Sequence, residues 1–223
     1  MVSFMIDGNL RFLSHRQTAT MLERALIRAG LDLSYSEGFN PHPRMSLPLP
    51  RTVGVVSRND LLTVELASTE TYDRSQIRDR IAAEVPECCE IEDVFICPQK
   101  TSFKAQSVWY ELVLKASALD GTFMEAYERL VENVQSGAEI PVERKRSKRK
   151  RARTVNVGAF IESVELDKET VRLRCSISGS GSIRPDEILE LLGLGAEMLT
   201  GAIVRKDVKW HPDLAEAGST LNN

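Results

Sequence analysis

The residues best suited to chemistry are two histidines, each flanked by polar or basic side chains. His15 and Arg16 follow Ser14 in L-R-F-L-S-H-R, and Asn40, His42 and Arg44 alternate with prolines in G-F-N-P-H-P-R, Gly38 to Arg44. Pro41 and Pro43 lock their own φ and push Asn40 and His42 into extended backbone, so the segment can be neither helix nor ordinary central strand. Such a segment displays side chains. His15 and Arg16 fall in the first turn expected of a helix, where unpaired N–H groups and the positive dipole end favour an anion. Brought together, His15, Arg16, Asn40, His42 and Arg44 would form a cluster suited to phosphate, with two imidazoles able to move protons. The structural alternative is that His15 packs beside the helix cap and His42 bonds a loop carbonyl.

A second feature is the run R-K-R-S-K-R-K-R-A-R, which holds Arg144, Lys145, Arg146, Lys148, Arg149, Lys150, Arg151 and Arg153. The net charge is -3, and taking these eight positive charges away leaves -11 on the rest of the chain. An acidic body with one concentrated basic tract points to a local contact with a polyanion such as RNA, or else to a solvated tip between strands. No aromatic side chain lies within the run. It can therefore hold phosphates but offers no stacking platform for reading bases.

Cys88, Cys89, Cys97 and Cys175 show neither zinc spacing nor the clustering of iron-sulfur ligands, so no metal is expected and the thiols read as structural. Gly179-Ser180-Gly181-Ser182 only partly matches a dinucleotide fingerprint, because Arg184 stands where the third glycine belongs; it reads as a flexible turn. No run approaches the length of apolar residues that a membrane span needs, and the opening M-V-S-F-M-I-D lacks a secretory pattern. A cytoplasmic protein with no membrane contact is expected.

The elements that must position these residues follow from periodicity. Ser14 and Gln17 form an S-x-x-Q capping box, and Leu22, Ala25, Leu26 and Ala29 keep helical spacing until Gly30. Strands are expected at Val2 to Ile6, Leu33 to Ser36, Leu61 to Ala67 and Ile91 to Ile96, and Asp73 caps a second helix closed by Pro86. That order is β-α-β-β-α-β. It repeats after a polar stretch, 98–106, with strands from Val108 and Ile140, a helix over Asp120 to Ser136, a strand pair turning at Asp167 to Thr170, a helix from Pro185, and a closing strand Ala202 to Trp210. The expected fold is α+β, two ferredoxin-like halves with antiparallel sheets: a first domain over 1–97, a linker over 98–106, and a second domain over 107–223 that carries the basic segment.

L-R-F-L-S-H (Leu10 to His15), E-R-A-L-I-R-A-G-L (Glu23 to Leu31) and Y-S-E-G-F-N-P-H-P-R-M-S (Tyr35 to Ser46) resemble the radical-SAM-associated family of unknown function, which also occurs fused to the C-terminal side of radical-SAM proteins. The resemblance is strong over the first 70 residues or so, and looser through the basic segment and Arg184 to Gly193. After the basic segment, Val155-Asn156-Val157-Gly158-Ala159 departs from the aspartate and arginine-proline opening expected of relatives. The resemblance implies a bacterial protein working beside a radical-SAM enzyme, with the iron-sulfur cluster and S-adenosylmethionine in that partner and no cofactor in this chain. The expected function is an accessory recognition module, binding RNA or another anionic substrate at His15, Arg16, Asn40, His42 and Arg44 and leaving the reaction to the partner. Two alternatives stand beside it. One is a metal-independent RNA-processing endonuclease using His15 and His42 as acid and base, the other a protein-interaction scaffold.

Overall fold

A computed structural model of the chain describes residues 1–68, 72–97, 101–144 and 153–213. It is a mixed α+β structure with mostly antiparallel sheet and four α-helices among the described residues. The chain divides into two units, Met1–Ala105 with Lys209–Asn223, and Gln106–Val208.

In the first unit the elements run β1 (Val2–Ile6), α1 (His15–Arg28), β2 (Met45–Ser46), β3 (Val56–Val64), α2 (Arg74–Ala82) and β4 (Cys89–Val94). The spatial order is β4-β1-β3, with β2 beside β3, and the β1–β3, β1–β4 and β2–β3 pairs are antiparallel. Val2, Phe4 and Ile6 alternate inward along β1 and share one core with Leu22 and Leu26 of α1 and Ile77 and Ile81 of α2. Period 2 on the strand and period 3.6 on the helices therefore meet on a single apolar face.

Both helix starts are built as their sequences require. Ser14 Oγ accepts from the Gln17 N–H at 3.3 Å while Gln17 Oε1 accepts from the Ser14 N–H at 2.9 Å, and Asp73 and Gln76 repeat the device on α2. The expected strand Leu33 to Ser36 is reduced to single bridges, Leu33 with Leu66 and Tyr35 with Pro43. Proline supplies no ladder N–H, so pairing through the block is limited to such bridges, and a continuous strand begins only at Met45.

The second unit contains most of β5 (Ser102–Val113), then α3 (Gly121–Ser136), the hairpin β6 (Pro141–Arg144) and β7 (Arg153–Asn156), β8 (Ile161–Asp167), β9 (Thr170–Ser176), α4 (Pro185–Leu191) and the start of β10 (Val204–Asp213). The order is β10-β5-β9-β8, and β6–β7 forms a separate two-stranded sheet. Of the expected linker, 98–100 lie outside the described residues and Ser102–Gln106 belong to β5. The described residues of β10 from Lys209 group with the first unit instead of closing the second. Among the described residues no helix is long and apolar enough to cross a membrane.

Candidate functional site

The capping box decides where His15 stands. With Ser14 as the cap, His15 is the first residue of α1, and Ala19 and Glu23 follow it at four-residue steps along the same face. Facing them is the proline block, whose shape is set by a small clamp. The Ser36 N–H donates to the His42 carbonyl at 2.9 Å, the His42 N–H donates to Ser36 Oγ at 3.0 Å, and Gly38 turns the chain between them at φ 117°. That clamp fixes the His42 backbone.

Between helix and block lies a groove of about 360 Å³, to which α1 contributes His15, Ala19 and Glu23 and the block contributes His42, Pro43, Met45, Ser46 and Leu47. His42 Nδ1 lies 3.1 Å from Glu23 Oε1, and Asn40 Nδ2 lies 3.4 Å from His42 Nε2. The Glu23 carboxylate is half-buried and the His42 ring exposed. The two histidines thus open on one space. A carboxylate on one ring nitrogen is the arrangement that orients an imidazole for binding or proton transfer at the other.

Of the five residues expected to cluster, the groove gathers His15 and His42, with Asn40 touching His42. Arg16 is exposed and does not line it. Arg44 is committed elsewhere: its Nε donates to the Tyr35 carbonyl at 3.0 Å and its Nη1 stands 3.7 Å from Glu65 Oε2. Glu23 and Arg51 were not among the expected site residues. For Glu23 the signal was available, since His15, Ala19 and Glu23 are spaced by four.

Arg51 acts on the turn that presents His15. Its side chain is only 6% exposed, and it donates through Nη1 to the Arg11 and Val55 carbonyls at 2.6 and 3.0 Å and through Nη2 to those of Leu10 and Leu13, both at 3.2 Å. Nη2 also reaches Thr18 Oγ1 at 3.4 Å, and the Thr18 hydroxyl donates back to the Ser14 carbonyl at 3.1 Å. One guanidinium therefore gathers three of the four carbonyls of L-R-F-L, just ahead of the helix cap. Arg51, His15 and the buried Asp60 line a small void of about 10 Å³ that shares His15 and Leu47 with the groove.

Of the basic run, Lys145, Arg146, Lys148, Arg149, Lys150 and Arg151 lie outside the described residues. Arg153 opens β7 and is exposed. Arg144 is engaged: its Nε and Nη2 meet Glu187 Oε1 and Oε2 at 2.6 and 2.8 Å, and Nη2 also donates to the Ser182 carbonyl at 2.6 Å. Burial alone would raise the Glu187 pKa, but the Arg144 hydrogen bonds, the Arg184 backbone N–H and both positive charges outweigh it and hold the carboxyl below its usual range. Asn156, at the point of departure from the expected motif, accepts through Oδ1 from the Ile140 and Gly158 N–H groups and stitches β7 to the entry of β6.

Burial pushes the Cys89 thiol up to about 12, helped by Asp60, and the Cys175 thiol likewise to about 12, helped by Glu162. Neither is a thiolate at neutral pH. Among the described residues no three His, Cys, Asp or Glu side chains are grouped to hold a metal ion.

The class defined by these features is an α+β protein with a histidine-lined groove at the start of its first helix. The model of a family described as an uncharacterized protein conserved in bacteria, DUF2344, matches residues 1–185, and the chain belongs to that family. Among curated proteins, none matches.

Proposed function

We propose that the chain is a recognition module that holds RNA, or another anionic substrate, for a radical-SAM enzyme. The partner supplies the iron-sulfur cluster and S-adenosylmethionine and carries out the reaction in the cytoplasm. The observation that carries this reading is the meeting of His15 and His42 in one groove, formed by a capped helix and a loop too rich in proline to be core. The basic run adds a second, sequence-independent hold on phosphates. The strand order within each unit supports reading both as ferredoxin-like: β4-β1-β3-β2 in the first and β10-β5-β9-β8 in the second follow the same path. The tie to a radical-SAM partner rests on the sequence resemblance.

Crosslinking and sequencing of RNA bound to the native protein tests this reading. The comparison is a variant with the basic side chains of 145–153 neutralised and Arg144 kept. Recovered RNA should fall to background in the variant; background recovery from both proteins would remove the proposal.

A second reading, an RNA-processing endonuclease, is favoured by the Glu23–His42 pair, since an imidazole oriented by a carboxylate can serve as general base with His15 as its acid partner. RNA cleavage by the purified protein, lost in His42→Ala, would establish it over the first. Partner binding that survives without RNA and without either histidine would point to the scaffold instead.

A further inference from the structure

The groove that the recognition reading assigns to the substrate is poor in positive charge. Arg16 does not line it, Arg44 is turned to the Tyr35 carbonyl and Glu65, and the charged side chain that does line it is the carboxylate of Glu23. A phosphate entering beside Glu23 would meet a like charge in a partly desolvated setting, where repulsion is stronger than in bulk water. The hydrogen-bonding pattern points the same way. An ionised carboxylate only accepts, so the proton between Glu23 Oε1 and His42 Nδ1 resides on Nδ1. On the neutral ring Nε2 is then an acceptor, and the Asn40 amide already faces it at 3.4 Å, long enough for a better-placed donor to displace. Glu23 offers its second oxygen as another acceptor.

We infer that this groove receives a nucleoside and not a phosphate: the Glu23–His42 pair accepts from ribose hydroxyls or base N–H groups, with the ring lying against the apolar wall. That wall is Ala19, Pro43, Met45 and Leu47, and a groove of about 360 Å³ is large enough for one such unit; sites for small ligands begin at about 300 Å³. Glu23 is the positioning residue, acting through the tautomer of His42. The inference rests on the RNA-recognition reading and narrows it, leaving phosphate contacts to the basic run.

The test is ring nitrogen NMR of the full chain labelled with nitrogen-15 histidine, in mildly alkaline buffer. Adenosine, uridine and inorganic phosphate are titrated separately at equal millimolar concentration. His42 should show the Nδ1–H tautomer in the free protein, at least one nucleoside should shift its Nε2 resonance, and phosphate should not. Glu23→Leu, which removes both acceptors, should weaken nucleoside binding roughly tenfold, the effect of losing a hydrogen bond to a charged group, and should erase the tautomer preference while the far-ultraviolet circular dichroism is unchanged. A His42 shift with phosphate and none with nucleosides overturns the inference and leaves anion recognition standing. Silence from all three ligands also overturns it, and the crosslinking experiment then decides the broader reading on its own. The unsubstituted protein supplies these outcomes even if the Glu23 variant fails to fold.

Discussion

Arg51 does for His15 what α1 cannot do for itself. The carbonyls of Leu10, Arg11 and Leu13 turn inward before the helix begins, and a single buried guanidinium gathers them together with the Thr18 hydroxyl. A lysine in its place would bring one nitrogen where the arrangement needs a planar fork, so the basic charge alone cannot substitute. Arg51→Ala should therefore cost about 3–5 kcal/mol, because several inward-facing carbonyls lose a charged donor worth about 1.5–3 kcal/mol each and water replaces only part of it, and Arg51→Lys should recover less than half of that. Urea unfolding followed by tryptophan fluorescence measures both. A loss below about 1 kcal/mol in the alanine variant, the size of one ordinary hydrogen bond, would mean that the turn holds without Arg51. Because only Ser14 separates His15 from this turn, the same variant should broaden its ring resonances even where the fold survives.

At the scale of elements, the Arg144–Glu187 pair ties the end of β6 to the first turn of α4. Glu187 is depressed in the folded protein, so its contribution is fully present at pH values above the ordinary glutamate range and is lost as acid protonates the folded carboxyl. Stability should fall with pH in that acid window in the native chain and lose this component in Glu187→Gln. Removing Arg144 alone leaves a carboxylate only 4% exposed without its partner, which should cost about 3–5 kcal/mol, whereas Arg144→Met with Glu187→Leu should restore much of it. Thermal melts across the acid range check both; equal pH profiles for native and Glu187→Gln proteins would dismiss the pair as a source of acid sensitivity. Nothing in the sequence separates Arg144 from its seven basic neighbours, because partner choice depends on where α4 packs. Local signals were legible: Ser14 with Gln17, Asp73 with Gln76, and Asp120 before α3 with Gly137 at φ 68° after it all form the ends their residue types dictate. The start of β5 was not. Ser102 to Gln106 alternate exposed and half-buried positions with little apolar contrast, so the stretch reads as a connection until sheet pairing is known. Glu23 was legible only in part: its four-residue spacing from Ala19 and His15 places it on their face, but a charged residue there looks solvent-facing until the proline block lies against it.

Across the whole molecule the charge distribution separates two roles that the composition merges. The net charge of -3 conceals a chain that is strongly acidic outside the run from Arg144 to Arg153, and within that run Arg144 is already neutralised by Glu187. If RNA is held by the seven remaining side chains, affinity should depend on salt through the counterions they release. For four to six contacts with single-stranded phosphate, at about -0.7 each, the slope of log K against log salt should be roughly -3 to -4. Each neutralised side chain among Lys145, Arg146, Lys148, Arg149, Lys150, Arg151 and Arg153 should make the slope shallower by about 0.7 per lost contact while leaving the melting temperature alone. Arg144 should behave in the opposite way, with its substitution lowering the melting temperature and leaving the slope in place. Fluorescence anisotropy of a labelled single-stranded RNA across a salt series, run beside melts of the same variants, puts the two roles on separate axes. A slope near zero in the native chain would leave the run without a phosphate-binding role. A slope that falls equally on substituting Arg144 would mean that the ion pair opens when RNA arrives, and the carboxylate of Glu187 would then have to be protonated or solvated in the complex, making RNA affinity rise as pH falls.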